Sequence, residues 1–381
     1  MNKLSSFFLR KYRKKFFLFL RKIVATIIPR NSAFRRALLA IYRNFLDLFG
    51  RYNVKKYNKA IEPLLDINVL NERIRSIKDL AESGAVSKKK FYIISRGADN
   101  VGLFSYVITH FSQILYALAK GMIPIIDMQY SFNPYLERDK LGNENSWEYF
   151  FKQPCGYSLD DVNNGECAFS DPNFFQSILP FITDNNLWFK NNNLWFEGVY
   201  FQLWATVYRN FFQLSDSAAK YIEEEFNRII KPGMRVVGVY CRGTDYTKMR
   251  LAGHAIQPEV DEVINKVKSV MPEWNCDYVY VTTEESEIVK RFENAFPGRV
   301  LTVKQMYYDD IGFDFEHQQL VYAKFDRDND AYLKGLEYLS SVIVFSRCNS
   351  AVLGHCGGSE VALYINGGKF ENVYFYNLGF Y

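Results

Sequence analysis

The feature that most constrains this chain is a short apolar run that ends in charge. Val236-Val237-Gly238-Val239-Tyr240 is rich in β-branched residues and follows Pro232-Gly233, so it reads as a buried strand. In open α/β sheets the carboxyl end of a strand is where ligands sit. This strand delivers Cys241-Arg242-Gly243-Thr244-Asp245-Tyr246 to that end. A guanidinium leaving a strand beside a glycine is placed to fork onto a phosphate, which makes Arg242 the first candidate. The alternative is a surface Arg paired with Asp245. A loop with Gly253 and His254 follows, and Gln257-Pro258 opens a helical pattern over 259–270.

The alternation continues downstream with a strand at 277–282, a helix at 285–296 and a strand at 299–303. A helix at 332–340, a strand at 341–345 and a short strand at 351–354 then follow. Thr283 and Glu284 stand at another strand end. After the last strand, Gly357-Gly358-Ser359-Glu360 precedes an apolar helical run. That pattern makes a helix start whose backbone N–H groups can meet an anion. An ordinary capped helix is the other reading.

Upstream, a strand at 91–95, a loop, a helix at 103–120 and a strand at 122–127 make a βαβ unit. Its first turn carries Asp99, Asn100 and Gly102, which can face substrate. The glycine spacing there is not the dinucleotide fingerprint, so no cofactor is read from it. Residues 128–200 are irregular and aromatic, fit either to line an acceptor cleft or to anchor packing. Residues 208–230 read as one helix, Lys231-Pro232-Gly233 as a domain boundary, and the aromatic tail 373–381 as packed down.

Charge is divided unevenly. Residues 1–60 hold sixteen Lys/Arg against Asp47 alone, a net +15, whereas the chain totals only +5. Phe, Leu and Ile interleave with the basic residues, but no apolar run approaches the roughly 20 residues that span a bilayer. No cleavable signal is recognisable either. The pattern fits amphipathic helices lying on anionic lipid, with a helix packed on its own body or a nucleic-acid arm as alternatives. Nothing further along resembles a base-reading module, so no nucleic-acid partner is expected. The six Cys lack CxxC spacing, and with four His they make no zinc pattern, which points to reduced thiols in the cytoplasm and no metal.

Val239-Tyr240-Cys241-Arg242-Gly243-Thr244-Asp245 resembles the His-x-Arg-Arg-Thr-Asp motif of GT-B-fold fucosyltransferases, the group of nodulation, core α-1,6 and protein O-fucosyltransferases. Thr282-Thr283-Glu284-Glu285 is similar to their Ala-Thr-Asp-Asp stretch, and Leu339-Ser340 with Gly357-Gly358-Ser359 resembles their final phosphate-facing segment. The resemblance covers residues 230–365 well and 91–127 weakly, and it leaves the basic arm out. It implies two Rossmann-like domains facing across a cleft, the second binding GDP-fucose without a metal ion. It implies Arg242 on the donor β-phosphate and carries the motif Asp over to Asp245. The motif His is Tyr240 here and its second Arg is Gly243, which leaves the base and the sugar open.

The chain is thus expected to be an α/β GT-B protein. Its parts are a basic arm (1–60), a helical connector (61–90), an acceptor domain (91–230) and a donor domain (231–381). The expected activity is inverting fucosyl transfer from GDP-fucose to a glycan or lipid-linked oligosaccharide, on the cytoplasmic face of a bacterial membrane. Arg242 stabilises the leaving diphosphate. His254 serves as base, with Asp245 and Asp99 as rivals. Tyr240, Gly243, Thr244, Thr283, Glu284, Gly357, Gly358, Ser359 and Glu360 surround the donor, and Asp99, Asn100 and Gly102 face the acceptor. The alternatives are another nucleotide-sugar donor, or a membrane-docked binding protein without catalysis.

Overall fold

A computed structural model describes residues 57, 59–84, 86–96, 101–170, 199–250, 254–314 and 318–381. Residues 1–56 and 58 of the basic arm expected at the N-terminus, and Asp99 and Asn100, lie outside these residues. Among the described residues no helix is long and apolar enough to cross a membrane.

Helix α1 (Ile67–Glu82) starts where the Asp66 side chain accepts from the Asn68 amide at 2.8 Å. Leu70, Ile74, Ile77 and Ala81 form its buried stripe, at the spacing of one helical face. Its end is held by Lys89, a buried ammonium that donates to the carbonyls of Leu80 (2.8 Å) and Ala81 (2.5 Å). Strand β1 (Lys90–Ser95), helix α2 (Leu103–Ala119) and strand β2 (Ile123–Asp127) form the expected βαβ unit. After the short helix α3 (Ser146–Phe150), strand β3 (Glu166–Phe169) pairs on the other side of β1. The sheet order is β2-β1-β3, all parallel.

The expected single helix at 208–230 is two, α4 (Val199–Phe211) and α5 (Asp216–Ile229). Tertiary pairing breaks it: Leu214 bridges Phe151, and the Ser215 amide donates to the Phe150 carbonyl at 2.9 Å. Ser215 then caps α5 through the Ala218 amide.

Beyond the turn at Lys231-Pro232-Gly233 come β4 (Val236–Tyr240), α6 (Thr244–Lys248), α7 (Val260–Glu273), β5 (Tyr278–Thr282), α8 (Ser286–Ala295) and β6 (Val300–Leu301). Then α9 (Asp330–Ser346), β7 (Ser350–Gly354), α10 (Gly357–Asn366) and β8 (Asn372–Tyr376) complete the chain. The five strands are parallel, in the order β6-β5-β4-β7-β8. Val237, Val239, Val279, Val281 and Val352 meet Val263, Val267 and Phe292 in the core. The aromatic tail packs down only in part: it forms edge strand β8, with Tyr376 buried, and a bridge from Phe380 to Ala255, while Leu378, Phe380 and Tyr381 stay exposed.

One expected element is wrong in kind. Ser341–Phe345 is not a strand but the last turns of α9, and the strand lies at Ser350–Gly354. From Leu339 to Ser346 every residue of the helix is buried, because α9 packs against α2, α5, α10, β4 and β5 together. A helix covered on all sides has no polar face to impose a 3.6-residue period, and its apolar run looks like a strand. Residues 57–381 form one compact unit.

Candidate functional site

The order of the five-stranded sheet reverses between β4 and β7. The chain winds outward from β4 through β5 to β6, then returns to lay β7 and β8 on the other side. At such a reversal the loops leaving the two central strands part, and a crevice opens at their carboxyl ends. Here it is a cavity of about 400 Å³, walled by Arg242 after β4, Thr283 and Glu284 after β5, and Gly357 and Gly358 after β7. Gly102, Phe104 and Ser105, at the start of α2, and Tyr135, in the segment after β2, line the same cavity.

Arg242 is 8% exposed, so it is not a surface residue. Its guanidinium pairs with the Glu284 carboxylate and lies over the Tyr246 ring, 4.5 Å from the centroid. The His254 ring packs on the same tyrosine, with centroids 4.8 Å apart, and also lines the cavity. Arg242, Tyr246 and His254 therefore form one layered group. The backbone at His254 is held by the end of the sheet-edge segment, where the Tyr381 amide donates to the His254 carbonyl at 3.1 Å.

Helix α10 begins with a closed cap. Ser359 Oγ accepts from the Cys356 amide at 3.0 Å and stands 2.7 Å from the Gly354 carbonyl, to which it donates. The Cys356 sulfur accepts from the Ser359 amide. Ser359 is thus spent on shaping the turn, while Gly357 and Gly358 form the wall. The first N–H groups of a helix have no intrahelical acceptor and carry the positive end of its dipole. Burial pushes the Cys356 thiol up and the nearby Arg242 charge opposes it, which places the guanidinium within electrostatic reach of the helix start.

The remaining expected residues separate. Gly102 caps α2 on the cavity wall. Arg96, at the end of β1, braces that helix by donating to the Ser105 carbonyl (2.7 Å) and to Thr109 Oγ1 (2.9 Å). A Cβ on Gly243 would meet the Glu285 carboxylate, so a side chain there would require the Glu285 side chain to move aside. Thr244 and Asp245 open α6, and their side chains lie outside the described residues. Tyr240 sits behind the wall, its hydroxyl 3.1 Å from that of Tyr338. Glu360 points away from the cavity, toward the Tyr364 hydroxyl (3.3 Å) and His355 (3.8 Å).

Sequence reading missed Tyr338, Cys356 and the segment around Gln305, all on the cavity wall. Gln305 donates to the Thr283 carbonyl at 2.6 Å, and the Tyr308 amide to the Glu284 carbonyl at 3.1 Å, so this segment fixes the end of β5. Among the described residues no group of three or more His, Cys, Asp or Glu is placed to hold a metal ion.

No family model matches the chain, and no curated protein matches it. Among solved structures it is similar to NodZ α-1,6-fucosyltransferase soaked with GDP-fucose, at 15% identity and a TM-score of 0.43, over 73% of this chain and 93% of that one. A mutant of Arabidopsis thaliana FUT1 in complex with GDP is 11% identical, with a TM-score of 0.42 over 86% of this chain and 78% of that one. POFUT1 in complex with GDP-fucose is 11% identical, with a TM-score of 0.31 over 77% and 75%. With TM-scores below 0.5, none of these likenesses decides the fold or the chemistry here.

Proposed function

We propose that the protein is a glycosyltransferase that binds a nucleoside-diphosphate sugar, with its diphosphate between Arg242 and the start of α10. The observation that carries this reading is their convergence in one cavity at the reversal of a parallel sheet. The two parallel sheets are read as the two halves of a GT-B enzyme, with the donor on the β4–β8 side and the acceptor on the β1–β3 side.

In the reaction, an acceptor hydroxyl attacks the anomeric carbon as the bond from that carbon to the diphosphate oxygen breaks. The sugar carbon passes through an oxocarbenium-like state, as in glycoside hydrolysis. The leaving diphosphate takes the bonding pair and gains charge. Donors already aimed at that oxygen stabilise the transition state more than the ground state. Arg242 and the α10 amides supply that positive potential from the chain itself, so the reading requires no metal ion and no cofactor. The hydroxyl proton goes to a base, assigned to His254, with Asp245 and Asp99 as the competing assignments.

The choice of fucose and GDP rests on the motif resemblance around Tyr240–Asp245. Thr283 and Glu284 are assigned to the nucleoside. Another nucleotide-sugar donor is the second reading, favoured by Tyr240, whose hydroxyl stands behind the wall where the motif has a base-reading His. The acceptor is assigned as a glycan or lipid-linked oligosaccharide in bacterial surface-polysaccharide assembly. The protein would lie on the inner face of the cell membrane, held by the basic residues of 1–60.

Melting of the purified full chain with GDP, UDP, CMP, ADP and GDP-fucose, beside Arg242→Ala, tests the proposal. A ligand at a hundred times its Kd adds about 2.7 kcal/mol of stability. A shift with GDP and GDP-fucose that Arg242→Ala abolishes is expected. A shift with a different nucleotide alone would reassign the donor. Nucleotide binding without sugar transfer to any acceptor would move the assignment to a binding protein.

A further inference from the structure

The cavity wall holds another hydrogen-bond donor, and its direction can be worked out. Its role presupposes a diphosphate bound in the cavity. Tyr338 projects from α9 and lines the cavity, whereas Tyr240, at the end of β4, is buried behind it. Their hydroxyls are 3.1 Å apart. Each phenol has one hydrogen to give and can accept another. If Tyr338 donates to Tyr240, the buried Tyr240 hydrogen finds no acceptor among the described residues. If Tyr240 donates to Tyr338, that hydrogen is satisfied and the Tyr338 hydrogen is left for the cavity. A buried donor left without a partner costs more than one hydrogen bond gains on balance, so the second direction wins. Burial raises the pKa of both phenols well above the ordinary tyrosine value, so both keep their hydrogens at neutral pH.

The pair stands against the first turn of α10. A Cβ on Gly358 would lie 2.7 Å from the Tyr338 oxygen and would overlap the Tyr240 oxygen. Gly358 is therefore the residue that lets this hydroxyl pair reach the helix start. Phe104, in the first turn of α2, packs edge-to-face with the Tyr338 ring, centroids 4.9 Å apart. Arg242 is near enough to bias ionisation of the Tyr338 hydroxyl.

We propose that Tyr338 is a phosphate-binding residue whose hydroxyl hydrogen is directed into the cavity by Tyr240. The pair supplies a donor on a site where Gly243 offers no second guanidinium and Glu285 fills the space beside it. A relay of two hydroxyls onto an anion also gains by mutual polarisation.

The test is calorimetric titration of the full chain with inorganic pyrophosphate and with GDP. Tyr338→Phe should weaken pyrophosphate about tenfold or more, as expected for a hydrogen bond to a charged group. Tyr240→Phe should weaken it less, about threefold, because the Tyr338 hydrogen is then unguided but present. The double variant should bind no more weakly than Tyr338→Phe alone, since Tyr240 acts only through Tyr338. Wild-type affinity in Tyr338→Phe, with binding lost in Arg242→Ala, overturns this proposal and leaves the diphosphate reading standing. Additive losses in the double variant overturn the directing role of Tyr240. If the wild type binds neither ligand, the diphosphate reading fails and takes this one with it.

Discussion

Replacing Arg242 by Met should harm stability and ligand binding by separable routes. The Arg242 and Glu284 side chains are 8% and 11% exposed, so their ion pair sits almost out of water. Removing one partner of such a pair costs about 3–5 kcal/mol, because the other charge stays buried without its counter-charge. In a unit of this length that loss lowers Tm by about 5–8 °C. The double variant Arg242→Met/Glu284→Leu removes both charges and should regain most of that loss, since apolar replacement of a buried pair is often neutral. It should not regain pyrophosphate or GDP binding. Thermal melts followed by circular dichroism, with calorimetric titration of the same samples, read both quantities. A single variant that melts with the wild type would refute the buried-pair argument. A double variant that binds pyrophosphate as the wild type does would refute Arg242 as the anion contact.

Three further outcomes are expected. Gly358→Ala puts a Cβ into the hydroxyls of Tyr240 and Tyr338, and should cost about 1–3 kcal/mol in a denaturant melt while weakening nucleotide binding. His110 is fully buried on α2, neither ring nitrogen has a hydrogen-bond partner among the described residues, and burial lowers its pKa to about 3. The unfolded chain takes up that proton near pH 6.5, so stability should fall as pH drops from about 6.5 towards 3, by at most about 1.4 kcal/mol per unit; His110→Phe should flatten this part of the pH–stability curve. Deleting residues 1–60 should abolish binding to anionic liposomes but leave GDP binding intact, and liposome binding that survives the deletion would remove the membrane role.

Much of the fold is legible in the chain because its signals are local. The run Val236–Tyr240, the βαβ pattern at 91–127 and the Gly357-Gly358-Ser359 helix start each declare themselves within about twenty residues. The positions of Arg242 and of the α10 start at strand ends follow from the same patterns. Why they share one cavity does not. That depends on the sheet order, in which β7 returns to lie beside β4. The break at 212–215 and the helical state of Ser341–Phe345 were hidden for a related reason. The first is set by pairing to Phe150 and Phe151, and the second by burial on every side.

The sequence by itself determined which residues could do chemistry: a cation after one strand, a glycine-rich helix start after another, and a basic arm. Tertiary structure alone decided their company. Arg242 meets Glu284 across 42 residues of chain, and Tyr240 meets Tyr338 across 98. The first meeting is set by the pairing of β4 with β5, which brings their carboxyl ends together, and the second by the packing of α9 against β4. No local pattern in the chain encodes that choice.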